Sequence, residues 1–189
     1  MVATLSPAPQ KIEPRTLADL PPAPTLRDAV FLLARLTRHP AFLDAHVYPL
    51  LEGASSAEDW HVAQSHEARD GSYSLQVFVW PPGTATQIHD HASWGAYRCV
   101  VGSVLEERYE RLDDGSRPGH AHLKKSWSRI WSRGDGVSTV MPYDGGIHRV
   151  GNVGGEAAIS VHLYGPRIGA VDGRDFDPLR DHVCDRVEA

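Results

Sequence analysis

The spacing of apolar residues divides the chain into a short helical part and a longer β-rich part. After a weak capping-box pair, Thr25 and Asp28, apolar side chains recur every three or four residues and predict an amphipathic helix over residues 26–38. Pro40 ends this helix and can start a second one over residues 40–51. We therefore expect two helices ahead of the first strand.

From residue 71 the pattern changes to alternation. Apolar and polar side chains alternate over residues 73–79, and a Pro-Pro-Gly sequence closes this segment with a turn. Further β-rich segments follow, separated by turn sequences: 98–111, 124–131, 137–141 and 157–164. Strand after strand without an intervening helix predicts a mainly β fold, a sandwich or barrel over about residues 71–165, with the helices outside it.

Length and proline content set the expected domain organisation. The 189 residues suffice for one domain with a sizeable core and are few for two. Six of the 14 prolines fall within residues 1–24, which predicts a loosely ordered arm there. Residues 25–189 are expected to form a single domain whose barrel is followed by a C-terminal extension.

Charge and cysteine content narrow the partners and the compartment. The formal net charge is −5 and no basic stripe occurs, so small molecules or proteins are expected as partners rather than nucleic acid. Cys99 and Cys184 are too few for a disulfide framework, which fits a reducing compartment. The chain shows neither a signal-peptide core nor an apolar run of about 18 residues, so we expect a soluble cytoplasmic protein that does not enter a membrane.

Two pairs of histidines share the spacing of metal ligands. Residues two apart on a strand face the same side, so His89 and His91 can point at one ion while Asp90 faces away. Taken alone, such a pair is more often two histidines near the start of a strand. His120 and His122 lie in a stretch rich in Gly, Pro and Lys, and there we favour a solvated loop or hairpin.

The surroundings of the first pair resemble the two motifs of the cupin family. Residues 83–102 read G-x5-HxH-x3-G-x6-G, with Gly95 at the position where that family ordinarily has a glutamate ligand. Residues 136–152 resemble the second motif around His148, although its P-x-G element is one residue longer, PYDG. The resemblance covers roughly residues 75–165 and implies a small antiparallel β-barrel of jelly-roll type.

The same resemblance implies a metal site at the mouth of this barrel, held by His89, His91 and His148. Three neutral imidazoles form a borderline-soft site suited to Fe, Zn, Ni or Cu. Because the carboxylate ligand is missing, further coordination positions stay open for external ligands, which is typical of a catalytic metal.

A second group of polar residues narrows the chemistry. Strand alternation places Ser160, His162 and Tyr164 on one face, where in isolation they are best interpreted as polar groups that satisfy one another. Beside three metal-binding histidines they resemble the Ser-His-Tyr relay of the cysteine dioxygenase (thiol dioxygenase) family. That resemblance implies a mononuclear Fe(II) site that oxidises a thiol with O2 to a sulfinate. The tyrosine hydroxyl would donate a hydrogen bond over the metal, oriented by the histidine and the serine.

The chain also departs from the mammalian-type members of that family. Those have a cysteine a few residues after the second histidine, cross-linked to the tyrosine. Here the corresponding sequence is SWGA, and Cys99 lies eight residues after His91. We therefore expect no Cys-Tyr cross-link and no function for either cysteine.

Substrate recognition is expected to differ from that of the cysteine-specific members. They carry an arginine on an early strand, where this chain offers Gln64, and this exchange resembles the branch that prefers 3-mercaptopropionate. In that branch an arginine shortly after the relay tyrosine takes the substrate carboxylate, so Arg174 is the first candidate and Arg167 the second. Trp94 is expected to form a wall of the pocket or part of the barrel core.

The expected activity is therefore Fe(II)-dependent oxidation of a small thiol carboxylate by O2, with alternatives open. 3-Mercaptopropionate leads, L-cysteine follows, and mercaptosuccinate stays possible. A cupin isomerase, another oxygenase, or a non-catalytic metal- or ligand-binding module would use the same ligands. A serine hydrolase built on Ser160 and His162 lacks a nucleophile elbow. Such a site binds Cu, Ni or Zn more tightly than Fe(II), so the sequence does not determine which metal is loaded. It does not determine the oligomeric state either.

Overall fold

A computed structural model describes residues 9–11, 25–168 and 171–185. The helices are α1 (Leu26–Leu36) and α2 (Pro40–His46), with 3-10 helices at Tyr48–Leu51, Ala54–Ser56 and Tyr143–Gly146. The strands are β1 (Gln10–Lys11), β2 (His61–Glu67), β3 (Ser74–Trp80), β4 (Ile88–His89), β5 (Gly95–Val101), β6 (Ser103–Arg111), β7 (Leu123–Ser132), β8 (Ser138–Val140), β9 (His148–Gly151), β10 (Ala158–Tyr164), β11 (Arg174–Asp177) and β12 (His182–Asp185).

The strands form two six-stranded sheets. Sheet A has the order β1-β2-β3-β10-β5-β8, and sheet B has the order β12-β11-β4-β9-β6-β7. Neighbouring strands are antiparallel throughout the described residues, except for the parallel pair β1 and β2. The predicted mainly β fold with helices outside it is confirmed.

The two faces of sheet A bury different cores. The outer face packs against α1 and α2, and this core includes Leu75 and Leu163 of the sheet and Leu33 of α1. The inner face carries Trp80 and contributes to a second core with Trp131 of sheet B. Since strands β3 and β10 are buried on both sides, their chemistry-bearing residues sit in the middle of the molecule, between the sheets.

The N-terminal helices follow the sequence pattern with shorter bounds than expected. The capping box at the start of α1 is present: Asp28 N donates to Thr25 Oγ1 over 3.2 Å, and Thr25 N donates to Asp28 Oδ2 over 2.9 Å. The helix stops before Pro40 because a residue that precedes proline avoids the helical region. The second predicted helix is divided, with Pro49 in the 3-10 helix that follows α2, because proline supplies no N–H to continue the α-helical ladder.

The sequence pattern missed several strands and merged two others. The predicted segment 98–111 is two strands, separated at Gly102, whose φ of +65° lets the chain pass from sheet A to sheet B. Strands β4 and β9 have two and four residues, too few to show an alternating pattern. Both carry histidines of the site described below.

Part of the expected domain organisation is outside the described residues. Residues 1–8 and 12–24 of the predicted arm are outside the described residues. Gln10–Lys11 of the arm pair with β2. The single-domain boundaries, 25–189, stay a prediction. Within the described ranges, no helix has both the length and the apolar character that crossing a membrane requires.

Truncating a core side chain of α1 should destabilise the fold. Leu33 is 1% exposed against the outer face of sheet A, so Leu33→Ala should lower the free energy of unfolding by about 2–5 kcal/mol. Phe31 on the same helix is 64% exposed, and Phe31→Ala should cost less than about 0.5 kcal/mol. Urea unfolding of both variants measures the difference, and equal losses would contradict this packing.

Candidate metal centre

Three histidines from sheet B and the segment after β4 converge on one point. His89 in β4 lies directly opposite His148 in β9, and His91 follows two residues after His89. The Nε2 atom of His91 lies 3.2 Å from that of His89 and 3.1 Å from that of His148. Among the described residues, these three offer ligand atoms that all lie within 4.8 Å of one another. The sequence-predicted ligands are therefore brought together.

The hydrogen bonds behind the rings fit a metal on the Nε2 side. His89 Nδ1 lies 2.9 Å from the carbonyl oxygen of Gln87, which can only accept, so Nδ1 carries the hydrogen and the lone pair is on Nε2. His148 Nδ1 faces the carboxylate of Glu106 at 3.2 Å. Neutral imidazoles with converging lone pairs match a borderline-soft divalent metal, and three protein ligands leave positions for external ligands.

An ion pair behind the His-x-His segment fixes its orientation. Asp90 is fully buried and points away from the other two side chains, as alternation predicts. It accepts hydrogen bonds from the Arg174 backbone N–H (2.7 Å) and the Arg174 Nε (2.9 Å). The same guanidinium also contacts Asp144 at 2.6 Å. Arg174 therefore locks β11 to β4 behind the metal ligands.

The predicted Ser-His-Tyr relay is hydrogen-bonded in order along β10. Ser160 Oγ lies 2.7 Å from His162 Nε2, and His162 Nδ1 lies 3.0 Å from the Tyr164 hydroxyl. Trp80 on the neighbouring strand extends the relay, because its Nε1 donates to Ser160 Oγ over 2.7 Å. The sequence analysis missed Trp80, since no signal in a single sequence tells which strand pairs with β10.

The relay is buried and neutral. An indole N–H can only donate, so Ser160 Oγ accepts from Trp80. Burial lowers the pKa of His162 to about 3, so the ring is neutral, with one ring nitrogen that donates and one that accepts. These hydrogen bonds hold the Tyr164 side chain at the cavity.

Tyr164 also takes up space next to the position of the missing fourth ligand. A Cβ atom on Gly95 would lie 3.0 Å from two carbons of the Tyr164 ring and 2.8 Å from Val140 Cγ2. The Tyr164 ring in turn packs against His91, with centroids 5.1 Å apart. A side chain at residue 95 and the tyrosine in this position are therefore mutually exclusive.

The three histidines, together with His162 and Tyr164 of the relay, line one cavity of about 550 Å³ between the sheets. Its wall on sheet A is aromatic: the rings of Trp60, Phe78 and Trp80 stack with centroids 5.6–6.0 Å apart. Gln76 adds a polar group on the same sheet. Arg167 also lines the cavity, where it forms a 2.6 Å ion pair with Asp172.

The structure puts two of the predicted substrate residues outside this cavity. Arg174 forms ion pairs with Asp90 and Asp144 behind the metal ligands and is not among the described residues that line the cavity. Gln64 faces α2, where its Oε1 lies 2.8 Å from His46 Nδ1. A β-bulge between Val62 and Gln64 interrupts the alternation and turns the amide away from the cavity side.

Trp94 packs in the core and does not form a cavity wall among the residues described. Its ring lies against the backbone of Gly165, where a Cβ would come within 2.1 Å of the indole. It also packs against the core between sheet A and the helices. Of the two expectations for this residue, the core position is the one observed.

The remaining candidates lie away from the centre. Burial raises the pKa of the Cys99 thiol to about 12. In the pairing of β5 with β10, Cys99 lies opposite Ser160, whereas Tyr164 lies opposite Gly95. Cys99 and Tyr164 are therefore paired at different positions along β5 and β10. His120 and His122 lie in a turn region outside the strands, as expected, and both bond to the same aspartate.

Two facing sheets surround a group of three histidines that could hold a metal ion. A family model described as cysteine dioxygenase type I matches residues 60–177, more than half of the chain. The chain belongs to the cysteine dioxygenase type I family. At the level of that family it is a metal-dependent thiol dioxygenase.

Several solved structures resemble parts of the chain. A protein of Thermus thermophilus is 16% identical over 60% of this chain and 90% of its own, with a TM-score of 0.43. A Cupin 2 conserved barrel domain protein from Salinispora arenicola is 17% identical over 56% of this chain and 72% of its own, with a TM-score of 0.39. An oxalate oxidase is 22% identical over 50% of this chain and 42% of its own, with a TM-score of 0.40. This chain thus spans less than half of that enzyme.

Adding a methyl group at residue 95 should displace the tyrosine. Gly95→Ala puts a Cβ against the Tyr164 ring and Val140, so we expect a loss of about 1–3 kcal/mol of unfolding free energy and a moved hydroxyl. Gly136→Ala is the matched control, because a Cβ there meets no atom within 4 Å. Urea unfolding and a crystal structure of each variant check this, and a Gly95→Ala protein with wild-type stability would contradict it.

Proposed function

We propose that the protein is an Fe(II) dioxygenase that oxidises a small thiol carboxylate with O2 to the sulfinate. The observation that carries this proposal is the shared cavity, in which three converging imidazoles lie beside a tyrosine held by a hydrogen-bonded relay. 3-Mercaptopropionate is the leading substrate, L-cysteine follows, and mercaptosuccinate is a further candidate.

The overall reaction balances without a further reductant. A thiol and one O2 give a sulfinate and one proton, so both oxygen atoms join sulfur, which loses the four electrons that O2 gains. Bound iron would supply coordination positions for the thiolate and O2 and would mediate this electron transfer. The protein's own residues have to orient the substrate, donate hydrogen bonds and limit access of water.

The Tyr164 hydroxyl is proposed to act as a placed hydrogen-bond donor. Its side chain lines the cavity beside the three histidines, and its hydroxyl lies 3.0 Å from His162 Nδ1, which holds it in place. Such a donor is held in place before the reaction, which is how groups around a metal centre contribute to rate. The buried aromatic wall formed by Trp60, Phe78 and Trp80 would keep water from the apolar part of the substrate.

Arg167 is proposed to bind the substrate carboxylate. Among the described residues that line the cavity, it is the only arginine or lysine. Its guanidinium already binds the carboxylate of Asp172 at 2.6 Å, so it has a geometry suited to a second carboxylate or to an exchange of partners.

The proposal is tested by oxygen uptake. The full chain would be stripped of metal, loaded anaerobically with Fe(II), and mixed with O2 and 3-mercaptopropionate, L-cysteine, cysteamine or mercaptosuccinate. We expect one O2 consumed per sulfinate formed with at least one thiol carboxylate, identified by mass. Tyr164→Phe should lower kcat about 10–100-fold. Tyr109→Phe, the same change at a residue outside the cavity lining, should not.

Two outcomes would favour the alternatives. Metal-loaded protein that consumes no O2 with any thiol would indicate a non-catalytic metal- or ligand-binding cupin. Turnover that is unaffected by Tyr164→Phe would indicate an isomerase or another oxygenase chemistry in which the relay has no part.

Removing the charge of Arg167 should impair only substrates with a carboxylate. Arg167→Met removes a charge-assisted hydrogen bond of about 1.5–3 kcal/mol, so KM for the preferred thiol carboxylate should rise about 10–150-fold with little change in kcat. Kinetics with cysteamine, which has no carboxylate, should be unchanged. Arg180→Met, at an 82% exposed side chain, is the control for loss of charge. An unchanged KM in Arg167→Met would mean that the carboxylate binds elsewhere.

A further inference from the structure

One fully buried carboxylate, Glu106 in β6, contacts the metal centre from behind. Its side chain has no exposed surface. An isolated buried carboxylate is strongly unfavourable, so its retention requires compensating donors. Arg108 of β6 lies directly opposite the metal ligand His148 of β9. Glu106 is two residues before Arg108 and faces the same side of the strand, so it lies close to His148.

Four hydrogen bonds satisfy this carboxylate. Oε2 accepts from Trp131 Nε1 at 2.8 Å and from Ser138 Oγ at 2.7 Å. Oε1 accepts from Arg108 Nε at 2.6 Å and lies 3.2 Å from His148 Nδ1. A carboxylate offers about four lone-pair positions, so these partners fill them all.

This arrangement determines which nitrogen of His148 carries the hydrogen. The neighbouring guanidinium and the indole can only donate, so they stabilise the ionised carboxylate, which has no hydrogen to give. His148 must then donate from Nδ1, and its lone pair is on Nε2, 3.1 Å from His91 Nε2. By contrast, His89 donates to a neutral backbone carbonyl. Of these two ligands, His148 is therefore the one supported by a charge.

We propose that Glu106 is a positioning residue that holds His148 in the metal-binding tautomer and strengthens it as a ligand. A carboxylate behind a ligating imidazole fixes the ring orientation and raises its basicity, and loss of such a partner typically weakens metal binding 10–100-fold. The indole of Trp131 and the hydroxyl of Ser138 donate to Oε2 of Glu106. These bonds keep the other oxygen, Oε1, beside His148 Nδ1. The inference rests on the metal site of the proposed function and requires no particular substrate.

Metal affinity of the full chain tests this role. Fe(II) would be titrated anaerobically into metal-free protein in competition with a chromophoric chelator. Glu106→Gln should raise the dissociation constant about 10–100-fold. Glu107→Gln is the matched control, because it makes the same change one residue along β6, where the side chain contacts Lys125 and Arg149 instead of a metal ligand. It should change the dissociation constant less than about threefold. Equal weakening in both variants, or wild-type affinity in Glu106→Gln, would overturn the proposal.

A second measurement needs no variant at residue 106 and covers the case in which Glu106→Gln fails to fold. Nitrogen-15 NMR of the metal-free wild-type chain reports the tautomer of each histidine, with the His148 signals assigned through His148→Gln. We expect His148 entirely as the Nδ1–H tautomer, and an Nε2–H tautomer would overturn the proposal. Neither readout involves a thiol or O2, so failure here and failure of the proposed activity are distinguishable.

Discussion

The direct pairing of His89 with His148 across β4 and β9 is the contact on which the rest of the site depends. Residues directly opposite on antiparallel strands have Cβ atoms about 4.5–5.5 Å apart, which lets both rings reach one ion. Register on these short strands is held from behind, where Arg174 binds Asp90 through its backbone and its side chain. A slip of one residue would turn His89 and His91 away from the cavity and Asp90 into it.

The two sheets contribute different chemistry to the space between them. Sheet B supplies the metal ligands, whereas sheet A supplies the tyrosine hydroxyl. In both cases an indole N–H starts the supporting hydrogen bonds: Trp80 donates to Ser160, and Trp131 donates to Glu106. An indole N–H can only donate, so in each network it supplies a hydrogen to an oxygen acceptor. Two tryptophans that would be counted as core residues thus also support the polar groups of the site.

Local spacing predicted the parts of the site that lie within one strand, and tertiary contacts decided the rest. The metal ligands and the Ser-His-Tyr set depend on two-residue alternation or on compact motifs, which a single sequence displays. The position of Gln64 could not be predicted, because a β-bulge changes the face of every residue after it. The ion pair of Arg174 with Asp90 could not be predicted either, because the two residues are 84 positions apart in the sequence. Trp80 and Glu106 could not be found, because their roles depend on strand pairing.

The burial of the relay has a consequence for proton movement. Burial lowers the pKa of His162 to about 3, and both of its ring nitrogens have hydrogen-bond partners on β10. The ring therefore does not take up a proton near neutral pH. A proton released inside the cavity must therefore leave by another route, and the carboxylates among the described lining residues, Glu67 and Asp172, are the acceptors available to carry it to solvent.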